Sequence, residues 1–176
     1  NLTEQQLPFF LELMSWLAAK GFAVPAPYPL KNGSLNGMLK GKPAIFVPCF
    51  NGRSLDYPTA ENCEKVGLYL GNMHQALRNC PQKREGSRSI EWMRALETRL
   101  STVLPASEIK LVTLSIDHYQ QLKSEMEQCP SGVVHGDLFK DNVLFDGDSI
   151  SGVIDFFHAC NDSLLFDLAV IANDWA

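Results

Sequence analysis

Three oxygen-bearing side chains stand at a spacing that carries chemistry. Asp137 and Asn142 are five residues apart, and Asp155 follows thirteen residues after Asn142, at the end of an apolar stretch. A carboxylate in a tight loop can orient an acceptor hydroxyl and take its proton. A neutral amide oxygen beside a second carboxylate can hold a divalent cation without crowding two like charges. Together these are the requirements for moving a phosphoryl group from ATP to an alcohol, with Mg2+ held against the phosphates. Taken singly, Asp137, Asp141 and Asp146 would read as turn residues. The full order, flanked by apolar segments on both sides, outweighs that reading.

The surrounding residues have supporting roles. His135 opens the run HGDLFKDN (135–142) and matches the histidine that braces the HxDxxxxN loop of kinases; no proton transfer is assigned to it. Lys140 is the one cation in the loop. It either neutralises charge on the transferred phosphoryl group or is simply solvated. Asp167 either caps the last helix or accepts hydrogen bonds from the loop backbone. His74, His118 and His158 have no ligand-like spacing and read as structural or surface residues. Trp16, Trp92 and Trp175 read as packing. The sequence contains no GxSxG, Walker A or GxGxxG motif.

Elements must position this loop. Leu7, Phe10, Leu11, Met14, Leu17 and Ala18 recur at helical spacing, so residues 4–20 are expected to be helical, opened by a capping box at Thr3 and Gln6. Prolines 25, 27 and 29 keep the next segment extended. Residues 35–39 and 44–47 read as strands around a Lys40-Gly41-Lys42 turn. Helices are expected over 60–79, 90–104 and 106–128. Short strands are expected at 132–135, 142–145 and 150–154, and a final helix from about Ser163. Much helix with little sheet predicts an α+β fold.

Bulk properties narrow the function classes. The chain has 176 residues, is 45% hydrophobic and carries a net charge of -5, so it can build a core. No basic stripe runs along any predicted helix, which argues against nucleic acid as a partner. Cys49, Cys63, Cys80, Cys129 and Cys160 are scattered and form no CxxC, as expected of reduced thiols in a cytoplasmic protein. No apolar run approaches the length of a membrane span. Asn1 in place of Met, and a helical pattern still running at Trp175, predict a piece of a longer chain.

From His135 to Asp155 the sequence resembles the aminoglycoside phosphotransferase and choline kinase superfamily, in which HGDxxxxN is followed by a hairpin ending in IDF or IDW. Here the hairpin ends in Ile154-Asp155-Phe156. Leu165-Phe166-Asp167-Leu168-Ala169 then follows with no activation segment, as in small-molecule kinases. The segments 4–21, 41–54, 134–160 and 165–175 further resemble the family of bacterial homoserine kinases. The resemblance implies a two-lobed, protein-kinase-like fold, ATP and Mg2+ as cofactors, and L-homoserine as the small-molecule acceptor.

It assigns Asp137 as base, Asn142 and Asp155 as metal ligands, and Val47-Pro48-Cys49-Phe50 as the lobe connector holding the adenine edge. Asp141 and Asp174 are candidates for the substrate ammonium. Residues 1–50 correspond to a remnant of the nucleotide lobe and 51–176 to the catalytic lobe. The family's first hairpin, with its phosphate-covering loop, and its last helices have no counterpart here, so this piece alone is expected to bind nucleotide poorly. Two alternatives remain: a kinase of another hydroxyl compound (choline, an aminoglycoside or a hydroxylated amino acid), and a non-catalytic kinase-like module.

Overall fold

Residues 6–175 are described by the computed structural model. The first helix, α1 (Leu7–Ala19), carries Pro8 in its first turn, where a missing N–H costs nothing. It buries Phe10, Leu11, Leu13, Met14 and Leu17. Two backbone bonds close it, Gly21 N–H to Ala18 O (2.9 Å) and Phe22 N–H to Leu17 O (3.1 Å). The capping box expected at Thr3 and Gln6 falls partly outside the described residues.

The strands β1 (Gly37–Leu39) and β2 (Lys42–Ala44) pair antiparallel around Lys40-Gly41, both with positive φ, the backbone of a tight hairpin turn. The hairpin is shorter than expected and shifted. Phe46 does not pair with β1; its carbonyl accepts from Tyr28 N–H at 2.8 Å. Leu35 and Asn36 belong to a local turn in which Ser34 Oγ donates to Asn36 O.

Helix α2 (Ala60–Leu77) begins with a capping box: Thr59 N–H donates to Asn62 Oδ1, and Asn62 N–H donates to Thr59 Oγ1. It buries Val66, Leu70, Met73 and Leu77. Helices α3 (Ile90–Leu100) and α4 (Ala106–Met126) form a hairpin. Only Ile116 of the two is buried, and the pair is tied by polar bonds from Arg94 of α3 to Asp117 and Gln120 of α4, and from Thr113 of α4 to Glu97 of α3.

The strands β3 (Ser131–Val134), β4 (Val143–Asp146) and β5 (Ser149–Val153) lie close to their expected positions. Strands β4 and β5 make a hairpin across Gly147-Asp148. Strand β6 (Cys160–Ser163), antiparallel to β3, was not anticipated. Its sequence, Cys-Asn-Asp-Ser, has no apolar alternation; it is a strand because β3 needs a hydrogen-bonding partner. It also displaces the start of the last helix, α5 (Leu165–Trp175), by two residues.

The core gathers the apolar faces of α1, α2 and α5 around Val133, Leu138, Val143, Phe145, Val153 and Phe156. The chemistry-bearing loop therefore rests on the most buried part of the molecule. Among the described residues, no helix is long and apolar enough to cross a membrane.

Candidate active site

The loop between β3 and β4 is built from the backbone outward. Gly136 has φ +78°, and a Cβ there would stand 2.8 Å from His158 O, so only glycine fits the approach. Asp167 of α5 is fully buried, and its carboxylate accepts from two loop N–H groups: His135 N to Oδ2 at 2.9 Å and Gly136 N to Oδ1 at 2.8 Å. His74 Nε2 of α2 lies 2.8 Å from the same Oδ2. The sequence reads His74 as a structural or surface residue, and its contact with Asp167 shows the structural role. The available signal was its place next to Met73 and four residues after Leu70, on the side of α2 that turns toward the core.

His135 is also fully buried. Asp137 N–H donates to its Nδ1 at 3.2 Å, so the ring proton sits on Nε2 and is donated to Ile154 O at 3.0 Å. Burial holds the His135 pKa below the ordinary histidine value, against the opposing pull of the Asp167 charge. The imidazole is thus a neutral strut between the 135–142 loop and the end of β5. It packs against the Phe156 ring at 4.5 Å between centroids.

Asn142 sits at the end of a single 3₁₀ turn, Lys140–Asn142, and is nearly buried. Its Nδ2 donates to Asp137 O at 2.7 Å and Asp137 Oδ2 at 3.1 Å. Both amide hydrogens are thereby spent on Asp137, and Oδ1 is left as the atom able to face a cation. Asp155 follows β5 in the left-handed region, φ 61° and ψ 60°, with its side chain exposed. The Ile154 N–H bond to Asn142 O, 2.9 Å, keeps Asp155 beside Asn142. Hard oxygen donors, one neutral and one charged, fit Mg2+, which takes one or two protein ligands and fills the rest with phosphate and water. Among the described residues, no three His, Cys, Asp or Glu side chains cluster as a closed metal cage.

A cavity of about 650 Å³ opens over this loop, lined by Asp137, Lys140, Asp141 and Asp174 together with Ser54 and Asp56. Asp174 is engaged with the loop: Lys140 N–H donates to its Oδ2 at 2.7 Å, and Lys140 Nζ stands 3.6 Å from Oδ1. Asp141 is exposed. Asp56, on the segment leading to α2, was not anticipated as a neighbour of the loop.

The connector lies on the β4–β5 hairpin. Phe50 covers Gly152, where a Cβ would approach its ring to 2.7 Å. Ser151 Oγ donates to Asn51 O at 2.5 Å. Arg53 and Phe145 exchange both backbone bonds, at 3.0 and 2.9 Å. Pro48 is half-buried, and Val47 and Cys49 are exposed.

The family model for the phosphotransferase enzyme family matches residues 2–176. The chain is 44% identical over 176 residues to a homoserine kinase of Neisseria meningitidis, covering 99% of this chain and 57% of that protein. It is 40% identical over 173 residues to a homoserine kinase of Methylobacillus flagellatus, covering 97% and 53%. The chain thus spans about half the length of the curated relatives it matches. Among solved structures, the GDP complex of aminoglycoside 2'-phosphotransferase-IIIa superposes with a TM-score of 0.70 at 19% identity, covering 99% of this chain and 64% of that one. Amicoumacin kinase hAmiN, in complex with AMP-PNP, Ca2+ and Ami, gives 0.69 at 18%, covering 96% and 52%. These two likenesses establish the fold.

Proposed function

The chain belongs to the phosphotransferase enzyme family, and on that premise we propose that it carries the catalytic loop of a kinase transferring the ATP γ-phosphate to the side-chain hydroxyl of L-homoserine. The observation that carries the reaction type is the joint placement of Asp137, Asn142 and Asp155 on one braced loop and hairpin. The acceptor rests on the 44% identity to a homoserine kinase across nearly the whole chain.

In this reading Asp137 orients the acceptor hydroxyl and takes its proton as the phosphoryl group is transferred. The Asn142 amide keeps the Asp137 carboxylate in place before the acceptor arrives. Asn142 Oδ1 and the Asp155 carboxylate hold Mg2+, which when bound neutralises charge on the phosphates. His135 stays neutral and fixes the loop to β5. Lys140, tethered by Asp174, offers its ammonium to the cavity beside Asp137 and offsets charge on the transferred group. Because Asp174 is occupied by Lys140, Asp141 is the freer of the two candidates for the acceptor ammonium. The adenine edge is held by the backbone of 47–50, on the connector clamped to the hairpin. Residues 1–50 belong with the nucleotide side and 51–176 with the acceptor side.

The test is a coupled ADP-release assay on the intact protein with Mg2+-ATP and a panel of alcohols: L-homoserine, L-serine, choline and an aminoglycoside. L-Homoserine is expected to give the highest kcat/KM. A signal from it no greater than from water would overturn the assignment.

A further inference from the structure

A second cavity, about 580 Å³, meets the catalytic loop at Gly136 and is walled by the segment before α3, the α3–α4 hairpin and the start of β6. Arg88 and His158 both line it and are joined, with Arg88 Nη2 3.2 Å from His158 Nδ1. An arginine can only donate, so His158 Nδ1 accepts and its ring proton sits on Nε2. His158 is placed firmly relative to the loop, because its carbonyl lies against Gly136 at the one approach that excludes a Cβ. Among the described residues, Arg88 forms no ion pair. Its remaining N–H groups form the planar fork that matches a carboxylate, and His158 Nε2–H is a further donor. Lys123 adds a second cation to the wall, and Glu85 and Asp162 add two anions. That balance suits a zwitterion better than a polyamine or a quaternary ammonium compound.

We propose that Arg88, braced by His158, recognises the carboxylate of an amino-acid alcohol whose hydroxyl reaches the catalytic loop past Gly136. The assignment rests on the acceptor class proposed above and adds the residue that selects it. It also accounts for a carboxylate partner that the catalytic loop does not supply.

The test is calorimetric binding to the intact protein of L-homoserine and of 3-aminopropan-1-ol, which keeps the amine and hydroxyl but lacks the carboxylate. The wild type is expected to bind L-homoserine at least tenfold more tightly. Arg88→Gln should abolish that preference with little change for 3-aminopropan-1-ol, Arg88→Lys should keep part of it, and His158→Ala should weaken it. Circular dichroism and melting curves check that each variant is folded. A preference unchanged in Arg88→Gln, or absent in the wild type, overturns the proposal. Binding as expected without phosphoryl transfer to L-homoserine keeps Arg88 assigned and overturns the reaction. Homoserine turnover with a KM that ignores Arg88→Gln does the reverse.

Discussion

A base that must meet a hydroxyl proton within hydrogen-bond reach works best if its position is set before the substrate binds. In the proposed role of base, Asp137 would meet that condition through Asn142, whose amide bridges its backbone carbonyl and its carboxylate. Asp137→Ala is therefore expected to lower kcat by about 10²–10⁴-fold while leaving the melting temperature nearly unchanged, because this half-exposed side chain adds little to the core. ADP release and thermal denaturation would check the two halves of that statement. His135 makes the opposite prediction, about stability. Burial holds its folded pKa below the ordinary histidine value of 6.5, so the unfolded chain binds the extra proton first. The stability conferred by a neutral His135 is complete above pH 6.5 and is lost as pH falls below it, with a slope approaching about 1.4 kcal/mol per pH unit. Urea denaturation between pH 7.5 and 5.5 should show this slope, and His135→Gln should lack it. The types and spacing of Asp137, Asn142 and Asp155 were legible in the sequence because motif chemistry is local. The partner of His74 was not, because Asp167 is distant in sequence and is reached only when α2 and α5 pack.

Two elements hold the loop in register. Helix α5 presents Asp167 to the N–H groups of His135 and Gly136, and those groups are buried without any other partner among the described residues. Asp167→Ala would strand them, and each stranded group costs about 1–3 kcal/mol. A loss of about 2–6 kcal/mol in unfolding free energy from denaturant titration, together with a fall in kcat, is the expected result; loss of kcat alone would argue against a structural role for the carboxylate. The connector is the second element. Gly52 has φ +102°, and a Cβ there would lie 2.3 Å from Phe145 O. Gly52→Ala should push the connector off the hairpin, lowering the melting temperature and weakening ATP binding measured by calorimetry. The helices were legible from apolar periodicity, and α2 and α4 ended within two residues of expectation. Strand β6 was not, because its pairing with β3 leaves no period in its own sequence.

At the scale of the molecule, α1 stands far in sequence from the loop yet forms the floor beneath it, with Phe10 in edge contact with Phe157 at 5.4 Å. Phe10→Ala should cost about 3–5 kcal/mol and reduce activity only in proportion to the unfolded fraction, which paired melting and turnover measurements at two temperatures would reveal. By itself the sequence determined the motif on which the proposed phosphoryl transfer rests, because Asp137, Asn142 and Asp155 lie within one short stretch of chain. It also determined the α+β class, because helical periodicity is written along each segment. Only the tertiary structure decided which residues brace that loop and which line the cavities beside it. His74, Asp56, Arg88 and His158 come from four separate segments, and their roles arise from proximity that packing creates.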